Sequence, residues 1–152
     1  MSRLKIIPKS FLFILIFISC TSSQDQSNKL AEKIRIVDIE SWLNMMPGGP
    51  GSFHIIGKYE CTDTLECSAQ LKNIKVYSDS ALIYDLNNDN FTIEKQIEQD
   101  IQKVSYSFYT QPGIKLNDKI QSIEKVDVTL IFIFNDMMIE KNVNDIILTR
   151  AY

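Results

Sequence analysis

From Lys33 onward the chain is a succession of short β-branched and aromatic runs, each broken by Gly, Pro, Asn or Asp. That punctuation leaves room for little but strands joined by turns. Residues 33–44 form the first expected strand. The second is 52–60, where Phe53, Ile55, Gly57 and Tyr59 alternate with His54, Ile56, Lys58 and Glu60. In 69–77 the apolar phase changes between Leu71 and Ile74, which predicts a bulge near Asn73. A fourth strand, 81–86, runs into the turn cluster at Asn87, Asn88, Asp89 and Asn90. Ile93, Ile97, Ile101 and Val104 fit either a helical face or half of a strand. Tyr106 and Phe108 continue the period of two, which favours an extended edge segment. Val126, Val128, Leu130, Phe132 and Phe134 face one way, while Ile131 and Ile133 make the same strand apolar on its second face. Such a strand belongs in a sheet interior. Residues 146–152 supply a closing strand. About seven strands at this spacing predict an all-β domain over residues 33–152, a two-sheet antiparallel sandwich of immunoglobulin-like type, with a small β-barrel as the second choice.

Ahead of that domain stand Arg3, Lys5 and Lys9 and then the eight apolar residues 11–18. A spanning helix needs roughly 20 apolar residues, so this run matches a secretory signal better than a membrane span. Its end, Phe17-Ile18-Ser19-Cys20, resembles the lipobox of bacterial lipoproteins, in which a small residue precedes the cysteine that becomes the lipidated N-terminus. Phe17 departs from the aliphatic residue usual at its place. The resemblance implies a signal peptide over residues 1–19 and a diacylglycerol thioether on Cys20, with a third acyl chain such as palmitate on its amine. It also implies a membrane partner held through covalent lipid. Two or more long chains hold firmly, at about 0.8 kcal/mol per buried methylene. Thr21 stands where Asp often favours inner-membrane retention in that family, which leans towards the outer membrane of a Gram-negative host. Residues 20–32 read as the lipidated cysteine and a flexible tether, because 21–29 lack apolar side chains.

The leader holds three of the sixteen basic residues and no acid, so the remainder carries thirteen bases against nineteen acids. A net charge near −6 repels phosphate backbones, and no basic stripe is interleaved with aromatics, so nucleic acid is not an expected partner. With Cys20 assigned to lipid, two of the three cysteines remain, Cys61 and Cys67. They flank a short polar connection between strand-like segments, and a hairpin end there would bring them within disulfide reach. Five intervening residues fit neither a CxxC redox couple nor a paired zinc knuckle.

The most unusual segment runs from Trp42 through Met45, Met46, Pro47, Gly48, Gly49, Pro50 and Gly51 to His54. Prolines fix φ and glycines permit positive φ, so the chain can turn sharply there and present backbone. Two readings follow: a stiff connection with Trp42 packed in the core, or a binding loop carried on rigid strands. Alternation places His54 on the face opposite Phe53 and Ile55, towards solvent. Met45, Met46 and His54, with Cys61 or Cys67, are suitable Cu(I) ligands, which makes copper handling the alternative function. Asp85, Asp89, Asp136 and Asp145 lie near turns without the dense spacing of a calcium loop. A single histidine, no HExxH and no phosphate-binding glycine loop give no catalytic constellation. The expectation is a non-enzymatic binding or accessory protein of the cell envelope, without metal or cofactor, which contacts another envelope protein.

Overall fold

A computed structural model describes residues 28–61, 69–98 and 103–152. The fold is all-β. Its strands are β1 (Ile34–Asn44), β2 (Ser52–Cys61), β3 (Gln70–Ser78), β4 (Ala81–Asn87), β5 (Thr92–Glu98), β6 (Lys103–Tyr109), β7 (Ile114–Lys115), β8 (Lys125–Phe134) and β9 (Met137–Ala151). A single 3-10 turn, Asp118–Ile120, separates β7 from β8. Within the segment expected as tether, residues 28–33 are helical, and Leu30 and Ala31 pack against the core.

The strands hydrogen-bond in one order, β4-β3-β8-β9-β1-β2-β6-β5, with β7 added beside β2. This corrects the expected architecture. Instead of two separate antiparallel sheets of about seven strands, nine strands form one sheet curled into a half-barrel, and β1 and β9 pair in parallel from Ser41↔Leu148 to Asn44↔Ala151. The joint depends on β9, which is 15 residues long and serves two neighbours in turn. Its pairing with β8 runs from Met137 to Val143, shifts register where Asp145 adopts φ 59, and resumes at Ile146 and Ile147, after which Leu148 to Ala151 pair with β1. A bulge with a left-handed residue bends a strand and raises its twist, which carries the remainder of β9 across to β1.

Curling brings the two flanks face to face over one core. Phe53 on β2 stacks on Tyr84 of β4 at 4.6 Å between ring centroids, and Tyr59 on β2 meets Phe132 of β8 edge-on at 5.0 Å. The Tyr84 hydroxyl accepts from the Asn117 amide at 2.8 Å and donates to the Lys115 carbonyl at 3.3 Å, which ties edge strand β4 to the segment after β7. On the other margin, β5 ends the sheet and residues 92–97 are all exposed.

Several local expectations hold. The register of β3 against β8 shifts between Leu71 and Asn73, where the bulge was expected. Segment 91–104 is extended rather than helical where described, with β5 pairing antiparallel to β6. Strand β8 is interior, flanked by β3 and β9. The first half of β9 is an addition. It follows a two-residue hairpin at Asn135 and Asp136, with φ 45 and 63, and Asp79 and Ser80 make a similar turn with φ 48 and 66. Both are tight hairpin turns with two left-handed residues, a geometry that matches strand twist.

The connection after Cys61 is not a hairpin. β2 lies between β1 and β6, β3 lies between β4 and β8, and the chain crosses from one flank to the other between them. Cys61 is buried and disulfide-bonded. Cys67 and Cys20 lie outside the described residues.

Candidate functional site

Two regions gather side chains with chemical potential, the loop end of the β1–β2 hairpin and a cleft between the flanks.

At the hairpin end, Trp42 and His54 are cross-strand partners, so alternation puts both on the outer face of the sheet. Their rings stack at 5.0 Å with an interplanar angle of 3°. Trp42 is therefore half-buried outside the core, which corrects the expectation that it packs inside: Leu43, its neighbour, takes the inward position with no exposed surface. His54 occupies the expected face but is only half-exposed. Its Nε2 lies 2.8 Å from Ser52 Oγ, and a Cβ at Gly113 would collide with the imidazole, so only glycine allows that backbone to lie against the ring. The Ser52–His54 separation equals that of a nucleophile and its base. Among the described residues no carboxylate bonds the other ring nitrogen, and the flat contact with Trp42 gives the ring a structural role.

The connecting loop stands on a fixed stem. The Met45 amide donates to the Ala151 carbonyl at 2.7 Å, and the Leu116 amide donates to the Gly51 carbonyl at 3.2 Å. The Met46 amide donates to Asn44 Oδ1 at 3.1 Å. Between these anchors Met46, Pro47, Gly48, Gly49 and Pro50 are exposed, with Gly48 at φ 102 making the turn. The two methionines separate: Met45 packs against the core and Met46 stands 56% exposed. His54 and Cys61 are seven residues apart on the same strand, about 23 Å at the rise of a β-strand, so they cannot share one ion. The Asp residues weighed for calcium serve turns and pairs. Asp145 pairs with Lys125 at 3.1 Å, Asp85 accepts from Asn73 at 2.6 Å, and Asp136 sits in the β8–β9 turn.

The second region was not anticipated from sequence. An open cleft of about 280 Å³ lies where the curl stops short of covering its last strand. Tyr59, Tyr106 and Ile93 line it from one flank, and Ala69, Leu71 and Lys72 from the other. The Gln70 and Asn88 amides border it and are exposed. Tyr59 and Tyr106 stack at 5.0 Å. Ile93 and Ile97 share a face with Tyr106 and Phe108, yet they are 37% and 62% exposed because, among the described residues, no strand of the other flank lies over them. In the sequence the only hint was the pair of isoleucines two turns of the pleat apart, with Lys95 between them on the same face.

Burial pushes the Tyr59 phenol well above its ordinary value of 10.0, helped by the neighbouring Tyr106, while a bond from the Leu71 backbone opposes the shift. Tyr84 is raised for the same first reason, with the Asn117 backbone bond opposing. The native state thus keeps protons that the unfolded chain releases near pH 10, so stability is complete below that pH and falls as pH climbs beyond it. Urea midpoints should hold steady up to about pH 9 and drop by about pH 11. Replacing Tyr84 with Phe should flatten that drop; an unchanged alkaline slope would show that Tyr84 does not take part.

Set beside known protein families, curated proteins and solved structures, the chain matches none, so its function is argued from its own residues.

Proposed function

We propose that the chain is a lipid-anchored, non-enzymatic binding or accessory protein of the bacterial cell envelope. In this reading residues 1–19 are removed, Cys20 carries the lipid, and the outer membrane is its site in a Gram-negative host. The support for the anchor is the charged leader with its short apolar run and lipobox-like ending. One structural observation carries the binding role. The chain enters β1 at Ile34, which pairs with Cys61, whereas the exposed loop 46–50 follows the opposite end of β1 at Asn44. Ten steps of strand separate the two ends by about 33 Å. A tether that ends at the helical residues 28–33, which pack Leu30 and Ala31 on the core and lead directly into Ile34, leaves the loop and the Trp42–His54 stack reaching away from the bilayer, towards another envelope protein.

Trp42 is the only tryptophan, which makes this orientation measurable. In nanodiscs containing brominated lipid, Trp42 emission should match that in unbrominated discs. Strong quenching would put the loop at the bilayer and sink the proposed geometry. The anchor is read separately, by mass spectrometry of the N-terminal peptide. An acylated Cys20 as the first residue is the expected result; an unmodified Cys20, or a mature chain beginning at Met1, removes the anchor.

A further inference from the structure

We infer that the tip of the β8–β9 hairpin rests in the headgroup layer of a zwitterionic lipid bilayer, through Ile133, Phe134, Met137 and Met138. This deepens the proposed function and rests on its lipid anchor at Cys20. Three observations carry it. The first is the composition of the tip. Ile133 pairs with Met138 and Phe134 with Met137, so by alternation both faces are apolar where the strands meet the turn at Asn135 and Asp136. Met138 is 58% exposed and the other three are half-buried. The β3–β4 turn, at the other end of the same flank, is flanked instead by Ser78 and Ala81. Phenyl, thioether and aliphatic groups at a tip gain by leaving water at the boundary between headgroups and acyl chains.

The second observation is where the tip points. β1 and β9 run parallel, and stepping back seven residues from the paired Ser41 and Leu148 reaches Ile34 and Lys141. Lys141 Nζ donates to the Ala31 carbonyl at 2.9 Å, which fixes that part of β9 beside the helical residues 28–33. From Lys141 the strand continues back to the turn at Asp136, about 16 Å at the rise of a β-strand. The tip therefore projects on the side from which the chain enters the domain.

The third is the length of chain between that helix and the anchor. Eight steps separate Cys20 from Asn28, and at most about 29 Å can be spanned by them. The hairpin already covers more than half of that distance. A connection drawn to about three quarters of its full length, or less, seats the tip in a headgroup layer about 5–8 Å deep. Charge selects the lipid. Asp136 stands in the turn itself, and beyond residue 19 the chain carries nineteen acids against thirteen bases, so an anionic leaflet repels what a neutral one accepts.

The test uses the full-length protein, made with its lipid, in phosphatidylcholine nanodiscs with brominated or unbrominated acyl chains. Met138→Trp puts a reporter on the tip, and Leu82→Trp puts one beside the β3–β4 turn, where Leu82 is 48% exposed; Trp42 stays in both and reports the fold. Met138→Trp should lose most of its added emission in brominated discs, while the parent and Leu82→Trp lose none. Replacing part of the phosphatidylcholine with phosphatidylglycerol at low salt should reduce that loss, and a loss that stays the same or grows would overturn the assignment to neutral headgroups. Equal emission from Met138→Trp in both kinds of disc, with acylated Cys20 as the first residue of the same sample, overturns the inference and leaves the anchor standing. An unmodified Cys20 removes both. Quenching in all three proteins would mean that the domain lies flat on the lipid, which also overturns it. Emission from Met138→Trp that shifts with protein concentration in both kinds of disc would assign the tip to a second copy of the chain, with the same consequence.

Discussion

Replacing Phe53 with alanine should lower the unfolding free energy by about 3–5 kcal/mol, the largest loss expected of any single side chain in this fold. Phe53 has no exposed surface and stacks on Tyr84 across the core. Truncation removes its own transfer free energy and leaves a cavity at the place where β4 is joined to the opposite flank. The neighbours cannot readily fill it: Tyr84 is held through its hydroxyl by Lys115 and Asn117, and β7 pairs Ile114 with Phe53 itself. For a domain whose total stability is of the order of 5–15 kcal/mol, such a change takes a large share. Urea unfolding followed by tyrosine fluorescence measures it. A loss below about 1.5 kcal/mol would mean that the flanks are not pressed together at this stack.

Gly57→Ala should also destabilise, by about 1–3 kcal/mol, although the substitution adds only one methyl group. A Cβ at Gly57 would lie 2.7 Å from Phe108 Cε1 and 2.9 Å from the Asp38 carbonyl oxygen. Phe108 is fully buried and the carbonyl is backbone, so neither yields cheaply. Gly57 pairs with both Ile39 of β1 and Phe108 of β6, and strain there spreads along two ladders. Alanine restricts the unfolded chain and returns about 0.4–1 kcal/mol, which the overpacking outweighs. A variant as stable as the parent would show that β1, β2 and β6 can separate by several tenths of an ångström at no cost.

Much of the fold was legible in local residue order. Alternation at Phe53, Ile55 and Tyr59 marked the inward face of β2, and all three are buried. The phase change around Asn73 marked a real bulge because a one-residue slip would have turned Leu71 out of the core. Asp136 does lie in a turn, as its residue type suggests, but the first half of β9 that follows has no strand signal, since Met137, Met138 and Ile139 carry no clear alternation. Trp42 was misplaced for a different reason. A large aromatic suggests the interior, but its parity sets it beside His54 on the outer face, where a cross-strand stack covers part of it. The cleft was invisible because Tyr59, Ile93, Leu71 and Lys72 come from three strands in two flanks, and nothing within any one of them indicates that β5 would go uncovered.

The sequence by itself determined that the chain is β throughout its domain, which residues of β2 and β8 face inward, and that loop 46–50 must turn sharply. Those features depend on side-chain period and backbone φ, both properties of near neighbours in the chain. Tertiary structure alone decided that the strands join in one curled sheet, that β1 and β9 run parallel, and that Lys72 stands beside two stacked tyrosines. Partner choice between distant strands depends on how the whole core closes, and the bend at Asp145 that carries β9 from β8 to β1 acquires its meaning only when both partners are in place.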